Sequence, residues 1–221
     1  TIHGQLQEIY KPGEVVWCST ELNIVAYFFI RDLGYITDDE KYKRAANLIK
    51  QGILRNFDEK HGQFNRGVHA NGQDTVMALD CASWGALFLE AAGEKALART
   101  AMAAANRYRN RSNGIMGYKP YLDMPIYEDT PSQIHFFPKT PDLTWTDYSL
   151  AWSEGSLGVA VAYARLGKES LAEEILANML DTRMNERGGI RYADREIEHQ
   201  FSTAPSTIGT TWAILAMKSL E

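Results

Sequence analysis

Three stretches of the chain share one plan, and this repetition constrains the fold more than any other feature. Each begins with polar or acidic residues, continues for about three helical turns of apolar and small residues, and ends at a glycine. The stretches are STELNIVAYFFIRDLG (19–34), LDCASWGALFLEAAG (79–93) and WSEGSLGVAVAYARLG (152–167), and STIGTTWAILAMKSLE (206–221) is a fourth copy without the glycine. A terminal glycine suits the left-handed residue that ends many helices. The pattern therefore predicts four helices that are apolar on nearly all sides.

A second kind of helical pattern follows each of these glycines. Apolar residues recur at intervals of three and four with charged residues between them, which is typical of a helix with one wet face. These segments are 38–53, 93–108 and 167–182. Each is followed by a glycine-centred segment, KHGQFNRG, SNGIMGYKPY or ERGGIRYADRE, that favours turns and short extended pieces. The repeating unit is therefore a turn, an inner helix and an outer helix, recurring about every 53 to 74 residues.

Inner helices that pack side by side, each with an outer helix behind it, predict an all-α fold of repeated αα-hairpins. Residues 1–221 then form a single domain, either a small closed ring or an arc of a larger α/α toroid. Four inner helices against three outer helices favour the arc. IHGQLQ (2–7) resembles KHGQFN (60–65), so we expect the chain to begin partway through a repeat and to belong to a longer polypeptide. An arc has exposed apolar edges, which predict self-association or additional covering residues.

Composition argues against several classes of partner. The formal net charge is −5, and no cluster of Lys and Arg with interleaved aromatic residues is present, so nucleic acid is not expected. No apolar run approaches the roughly 18 residues that a membrane span needs. The sequence contains no phosphate-binding glycine loop and no nucleophile elbow, and we expect no cofactor.

The two cysteines allow one further interpretation. Cys18 and Cys81 both lie near inner-helix starts, where with a histidine they could supply zinc ligands. DCASW (80–84) faintly resembles the zinc-ligating segment of protein prenyltransferases, which are also α/α toroids. Because no close ligand pair such as CxxC or HxxxH is present, buried free thiols are the favoured interpretation, and no metal site is predicted.

Inner helices with acidic starts that alternate with amphipathic outer helices resemble the six-hairpin (α/α) toroid of many glycoside hydrolases, polysaccharide lyases and sugar epimerases. STELN, LDCASW, WSEGSLG and STIGTTW carry the resemblance, which covers most of the chain at the level of architecture. The resemblance implies a site at the rim where the inner helices begin, with a saccharide as the partner. Residues 117–146, rich in proline and aromatic residues, form a segment long enough to lie across such a site.

Three carboxylates occupy equivalent positions in the inner helices. Thirteen residues before each terminal glycine stand Glu21, Asp80 and Glu154, and this shared position predicts that they meet at one rim. Cleavage of a glycosidic bond commonly uses two carboxyl groups, one protonating the leaving oxygen and one acting as base or nucleophile. We assign Glu154 as the acid and either Glu21 or Asp80 as the base or nucleophile. Their separation would distinguish retention, at about 5–5.5 Å, from inversion, at roughly 6.5–9.5 Å.

A structural role for these acids is the alternative. Acidic side chains in a first helical turn accept hydrogen bonds from free backbone N–H groups and complement the helix dipole, typically for about 0.3–1 kcal/mol. Ser19, Thr20 and Ser153 stand beside them as predicted N-caps.

Other side chains near the inner-helix starts suit a sugar. Trp and Tyr rings stack on sugar faces, an aspartate can orient a hydroxyl, and a histidine can transfer protons near neutral pH. The predicted substrate-binding residues are Trp84, Trp145, Trp152, Asp147, Tyr192, Asp74 and His69. As alternatives, the large rings fill the centre of the helical ring, Asp74 caps the second inner helix, and His69 is a surface histidine.

The sequence therefore predicts a carbohydrate-active protein, with hydrolysis of a glycosidic bond as the specific hypothesis. The alternative is a non-catalytic helical-repeat module whose concave surface binds a glycan or a partner protein. Such a module needs no matched pair of carboxylates. No feature of the sequence assigns a cellular compartment.

Overall fold

The computed structural model describes residues 17–122, 145–146, 148–197 and 200–221. This described part contains seven α-helices, arranged as three hairpins and a final helix. The inner helices are α1 (Thr20–Thr37), α3 (Leu79–Ala91), α5 (Ser153–Arg165) and α7 (Thr207–Ser219). The outer helices are α2 (Glu40–Leu54), α4 (Lys95–Ala105) and α6 (Glu169–Arg183). The predicted order of inner and outer helices is therefore confirmed.

The helices pack as a repeat of hairpins. Each of the first three inner helices packs against the outer helix that follows it, α1 with α2, α3 with α4 and α5 with α6. The inner helices also pack side by side in chain order, α1 on α3, α3 on α5 and α5 on α7. No comparable packing joins α1 to α7 within the described residues. These residues thus form an arc with two ends, one at α1 and one at α7.

Burial is greatest in the middle of the arc. Every residue of α5 from Ser153 to Tyr163 is buried, and α3 buries nine of its thirteen residues. Small residues allow this close packing. A Cβ on Gly155 would lie 2.4 Å from the Trp152 ring, and one on Gly158 would lie 2.8 Å from Nε1 of Trp84. The glycines of α5 are therefore needed because large rings occupy the space beside them.

Two of the three predicted glycine caps are confirmed. Gly93 and Gly167, with φ of +87° and +70°, follow the ends of α3 and α5. The cap predicted at Gly34 is wrong, because α1 continues to Thr37 and the left-handed residue after it is Asp38. Gly34 is instead buried where α1 meets α2, and a Cβ there would lie 3.1 Å from the backbone nitrogen of Lys43. This glycine serves close helix packing.

The N-caps are only partly as predicted. Ser19 caps α1, its Oγ accepting a hydrogen bond of 3.3 Å from the Leu22 amide. Thr20 and Ser153 are not caps, since each is the first residue inside its helix. Their hydroxyls donate to the carbonyls of Asn65 and Arg191, both at 2.6 Å. These bonds fasten the inner helices to the glycine-centred segments.

Short antiparallel strands occupy the glycine-centred segments, so the predicted all-α class holds only approximately. A three-stranded sheet has the order β1-β4-β5, and two hairpins pair β2 with β3 and β6 with β7. The strands are β1 (Cys18–Ser19), β2 (Phe57–Asp58), β3 (Gln63–Phe64), β4 (Gly67–His69), β5 (Gly72–Asp74), β6 (Arg109–Ser112) and β7 (Ile115–Tyr118). The third segment forms isolated bridges, Met184 with Ile190 and Trp152 with Ala193. The bridge at Trp152 holds this segment against the start of α5.

Aromatic residues fill the space between the helices. Phe88 packs edge-on against Tyr27 and Phe64, with ring centroids 5.0 and 5.8 Å apart. Trp84 of α3 meets Trp212 of α7 at 4.9 Å across the inside of the arc. Among the described helices, none is both long enough and apolar enough to cross a membrane.

Candidate active site

The structure brings three carboxyl groups together where the inner helices begin. Glu21, Asp80 and Glu154 are the second residues of α1, α3 and α5. Glu21 and Glu154 both raise the pKa of Asp80 electrostatically, and Glu21 raises that of Glu154. The packing of α1 on α3 and of α3 on α5 thus gathers them at one rim. Ile208 occupies the same position in α7 and adds no charge.

Burial raises the pKa of all three groups. The pKa of Asp80 lies well above its ordinary value, first because of burial and then because of the two neighbouring carboxyl groups. Burial, with a smaller contribution from Glu21, raises the pKa of Glu154 to about 7, while the Tyr192 hydroxyl partly opposes this rise. The pKa of Glu21 is raised by burial. A carboxyl group with a pKa near neutrality can carry a proton and release it, as a general acid must.

These carboxyl groups do not cap their helices. No hydrogen bond among the described residues joins the side chain of Glu21, Asp80 or Glu154 to a helix-start amide. The α3 and α5 N-caps are Ala78 and Trp152, which make no side-chain cap bond. A capping carboxylate accepts N–H groups, and its pKa is lowered in consequence. The raised pKa values therefore argue against the structural alternative.

Asp80 lies at the centre of the group. Its Oδ1 is buried and makes no hydrogen bond within the described part of the chain. The residue nevertheless keeps part of its surface accessible to solvent. Leaving a buried polar atom unpaired costs about 1–3 kcal/mol, and such groups in native proteins are often functional. Asp80 is therefore strongly desolvated while part of the residue stays accessible to solvent.

Aromatic rings stand beside Glu154. Tyr192 and Phe201 stack with centroids 5.5 Å apart and planes at 13°. Trp152 meets both rings edge-on, at 6.4 and 6.0 Å. The Ser153 amide donates to the Tyr192 carbonyl at 2.9 Å, which holds this ring at the start of α5. Trp152 and Tyr192 were predicted for the site, whereas Phe201 lies in a stretch without a repeated pattern and was missed.

Trp145 and Trp84 are buried in the described structure, as Trp152 is. Trp145 is fully buried and packs against Tyr148 and Phe201 at 5.9 and 5.6 Å. Trp84 is buried against Trp212, as expected if large rings fill the centre of the arc. Both rings therefore support the structure around the rim, and contact with a sugar stays a prediction for them.

Asp74 and His69 belong to a separate cluster on strands β4 and β5. The Asp74 carboxylate accepts hydrogen bonds from Nε of Arg66 at 2.8 Å and from the Val76 amide at 3.2 Å. It does not cap α3, and that alternative is wrong. His69 is half-buried, with Nε2 3.7 Å from the same carboxylate and its ring 6.3 Å from that of Trp17. Binding of a substrate by either residue stays a prediction.

Arg66 and Tyr121 join this cluster to the carboxyl groups, and neither was predicted. Burial and the charge of Asp80 raise the pKa of Tyr121 to about 12, while the Arg66 guanidinium acts in the opposite direction. Arg66 also lies over the Trp17 ring, 5.8 Å from its centroid. Both residues stand in glycine-centred segments before or after inner helices. The polar and aromatic residues of those segments were the signal that could have found them.

Some predicted features lie outside the described residues. These are Asp147 and most of the segment predicted to cross the site, residues 123–144. Cys18 and Cys81 are free thiols, but only Cys81 is buried, so the prediction of a buried thiol is wrong for Cys18, which is exposed. Burial raises the pKa of Cys81. The described residues contain no group of three or more His, Cys, Asp or Glu side chains arranged to hold a metal ion.

The fold and its rim define an arc of α/α-hairpins with an acidic centre. No protein-family model matches the sequence, and no curated protein matches it. Solved structures do match. The unsaturated glucuronyl hydrolase from Bacillus sp. GL1, responsible for the degradation of glycosaminoglycan, superposes with a TM-score of 0.62 at 15% identity. A variant of UGL with dGlcA-Glc-Rha-Glc gives the same values.

The matches cover 96% of this chain but only 60% and 61% of the solved chains. The present chain thus spans about three fifths of the length of the toroids it resembles. At 15% identity the similarity shows the fold, an α/α toroid arc, and the expectation of a toroid-like architecture is confirmed at that level.

Proposed function

We propose that the protein is carbohydrate-active and hydrolyses a glycosidic bond at the rim formed by the starts of α1, α3 and α5. One observation carries this proposal. Three carboxyl groups on different helices, one buried and two partly buried, interact with one another, have raised pKa values and make no capping bonds. Helix stability alone gives no reason for this arrangement, because burying three acids together is unfavourable.

The environments of the carboxyl groups favour different roles. Glu154, with a pKa of about 7, is protonated in half or more of the molecules below neutral pH. It donates this proton to the glycosidic oxygen as the carbon–oxygen bond breaks and the alcohol leaves. Burial raises the pKa of Glu21 as well, and because repulsion among the three carboxyl groups is mutual, ionisation of one opposes that of the others; we assign the ionised role to Glu21. As a carboxylate, it either attacks the anomeric carbon or takes a proton from the water that attacks it.

Asp80 holds a proton most strongly, since burial and both neighbours oppose its ionisation. In its neutral form it donates a hydrogen bond to a sugar oxygen between the other two groups, which gives its unpaired Oδ1 a partner. The stacked rings of Tyr192 and Phe201 provide a flat apolar surface of the kind that packs against sugar rings.

The structural neighbours support a saccharide as the substrate class. One is named for a glucuronyl hydrolase and for glycosaminoglycan degradation, and the other carries an oligosaccharide. The shared architecture places inner-helix starts at one rim, which is where the present chain has its carboxyl groups.

A binding function without catalysis is the second candidate. It is favoured by one observation, that the stacked rings of Tyr192 and Phe201 form a surface that can hold a sugar ring whether or not a bond is cleaved. An arc of this size offers a groove with aromatic and acidic groups that can hold a glycan without turning it over.

Release of reducing ends from a saccharide panel tests the proposal. The panel includes glycosaminoglycan fragments, and the proteins are wild type, Glu154→Gln and Glu173→Gln. Glu173 is an exposed glutamate on α6 and provides the matched control. We expect Glu154→Gln to lose about 10²–10⁴-fold in turnover, the usual contribution of a positioned general acid, while Glu173→Gln stays at the wild-type level. Circular dichroism and thermal unfolding confirm that both variants are folded.

Two results would overturn the proposal that the protein is a hydrolase. Wild-type turnover in folded Glu154→Gln removes Glu154 as the acid and with it the proposed mechanism. Saccharide binding by calorimetry without release of reducing ends on any member of the panel favours the binding module instead.

A further inference from the structure

The backbone at the start of α3 is held by a short segment that includes Tyr121. The Leu79 amide donates to the Pro120 carbonyl at 2.8 Å. Ala78, the N-cap of α3, forms a β-bridge with Tyr121 itself. Tyr121 is therefore fixed beside the helix start that carries Asp80, and the residue is partly accessible to solvent.

The Tyr121 ring belongs to the aromatic group beside Glu154. Its centroid lies 6.1 Å from that of Trp145, and Trp145 packs on Phe201 at 5.6 Å. Phe201 stacks in turn on Tyr192. A row of rings therefore runs from Tyr121 at the start of α3 to Tyr192 at the start of α5.

Arg66 holds the hydroxyl group of Tyr121. Its guanidinium donates a hydrogen bond to the tyrosine oxygen, and this bond opposes the rise in the pKa of Tyr121 that burial and Asp80 cause. A guanidinium can only donate, so the tyrosine oxygen is the acceptor and its own proton remains for another acceptor. A hydroxyl group that accepts from a cation is also a stronger donor. Arg66 thus orients Tyr121 as a hydrogen-bond donor.

Asp74 fixes the guanidinium of Arg66 in turn. Its carboxylate accepts from Nε of Arg66 at 2.8 Å, and its carbonyl accepts from the Arg66 amide at 2.9 Å. The Asp74 side chain is only 5% exposed, so water screens this ion pair weakly. Because Nε is used on Asp74, a terminal nitrogen of the same guanidinium reaches Tyr121. A lysine carries all its donors on one nitrogen and cannot copy this two-sided contact.

We propose that Tyr121 binds the substrate by donating a hydrogen bond to one hydroxyl group of the sugar, and that Arg66 and Asp74 position the Tyr121 hydroxyl. The proposal rests on the proposed hydrolase function. Tyr121 and Asp80 interact electrostatically, and Oδ1 of Asp80 has no hydrogen-bond partner within the described part of the chain. A sugar hydroxyl placed between them satisfies both, because it accepts from the tyrosine and pairs with the carboxyl group.

A series of substrates that each lack one sugar hydroxyl tests this contact. The variant is Tyr121→Phe, in which only the phenol oxygen is lost. On the parent saccharide it should lose about 5–10-fold in kcat/KM, the usual effect of one neutral hydrogen bond. On the one deoxy substrate that lacks the contacted hydroxyl, wild type and variant should agree to within about twofold, since neither can make the bond. On every other deoxy substrate the loss should match that on the parent.

Arg66→Lys, alone and combined with Tyr121→Phe, tests the positioning role. Arg66→Lys keeps the positive charge but loses the two-sided contact, so it should lower kcat/KM about as much as Tyr121→Phe does. The double variant should lose no more than either single variant, because both remove the same hydrogen bond to the sugar. Asp74→Asn releases the same guanidinium and should behave as Arg66→Lys does.

Tyr163→Phe is the matched control. Tyr163 is a buried tyrosine near the end of α5, and its hydroxyl donates to Oδ1 of Asn106 at 2.8 Å. The variant therefore loses a hydrogen-bonded phenol oxygen away from the rim and should keep wild-type activity. Circular dichroism and urea unfolding check the folding and stability of every variant.

The possible failures are distinguishable. An equal loss for Tyr121→Phe on all the deoxy substrates would overturn the hydroxyl contact. A double variant whose losses multiply would overturn the positioning role of Arg66. If wild type releases no reducing ends from any saccharide, the hydrolase proposal fails, and the same comparisons are then made with dissociation constants from calorimetry. Absence of binding as well would overturn both proposals.

Discussion

Helices α1 and α5 are two copies of one element in different surroundings. Both are inner helices, both carry a glutamate as their second residue, and both pack against α3. α5 lies between α3 and α7 and buries all residues from Ser153 to Tyr163. α1 lies at the end of the arc and exposes Leu22, Val25 and Phe29. Their difference therefore comes from the neighbours that each helix has.

The residues facing the neighbours differ accordingly. At the third position α5 has Gly155, which leaves room for the Trp152 ring and for Leu79, whereas α1 has the exposed Leu22. The surroundings also set the pKa of the two glutamates. Glu154 is buried, and its pKa is raised to about 7, whereas Glu21 on the end helix is only partly buried, with a pKa that burial also raises. One helical position can thus serve as an acid in one copy and as a base in another.

The largest difference is expected from alanine at the third position of each helix. Gly155→Ala should destabilise the fold by about 3 kcal/mol, because the new Cβ would overlap Trp152 and Leu79 in a packed interior. Leu22→Ala should change stability by less than about 0.5 kcal/mol, as is usual for exposed positions. Urea unfolding at low protein concentration, where association does not contribute, measures both values. Equal losses in the two variants would show that α1 is packed as tightly as α5.

The two glutamates should also differ in how they change the stability of the protein with pH. The pKa of Glu154 is 4.5 as a reference and about 7 in the folded chain, so the folded state binds more protons between these values. Stability from this group is therefore present below pH 4.5 and is lost as the pH rises to about 7.

Glu154→Gln removes this loss and should stabilise the protein above pH 7 by about 2 kcal/mol, allowing for partial solvent screening. Glu21→Gln should act in the same direction with a smaller gain, and neither variant should gain below pH 4. Chemical unfolding at pH 4 and pH 8 measures these differences. A Glu154→Gln variant that is less stable at pH 8 would show that the carboxylate is held by partners in the folded state.

Much of the fold follows from periodicity, because an inner helix and an outer helix differ in how many of their sides are apolar. That difference is a property of composition, and it is visible in α5 and α6 without a structure. Gly34 shows where such reasoning ends. A glycine that lets two helices approach looks the same in sequence as a glycine that ends a helix, and only the packing of α1 on α2 distinguishes the two.

The candidate site, like the fold, could be predicted from the sequence only in part. The shared position of Glu21, Asp80 and Glu154 is readable from the repeat, since equivalent residues of a repeat meet at one rim. Arg66 and Phe201 come from irregular segments, where no period relates a residue to its neighbours in space. Burial depth is also a tertiary property, so the sequence could not show that the ring of Trp145 is fully buried.

Within the proposed mechanism, the pH dependence of hydrolysis connects the two glutamates. The pKa of Glu154 governs the alkaline limb of kcat/KM, since the acid must be protonated in the free enzyme. The charge of Glu21 raises that pKa, so Glu21→Gln should move the limb to lower pH. The profile is measured on a saccharide whose leaving alcohol needs protonation, with enough enzyme to follow a slow variant. A limb that stays in place would mean that the two carboxyl groups do not interact.

The smallest expected effect is that of Tyr192 on the pKa of Glu154, and its sign is opposite to that of the effect of Glu21. The Tyr192 hydroxyl lowers the pKa of Glu154, so Tyr192→Phe should move the alkaline limb to higher pH, opposite to the effect of Glu21→Gln. The phenylalanine keeps the stacked pair with Phe201, which leaves the apolar surface for a sugar in place. Tyr148→Phe, another half-buried tyrosine of the same aromatic group, serves as the control and should leave the limb unchanged. If Tyr192→Phe instead lowers activity equally at every pH, the Tyr192 hydroxyl positions the substrate and does not set the pKa of Glu154. The difference in pKa between Glu154 and Glu21 then rests on burial and on the repulsion between the two carboxyl groups.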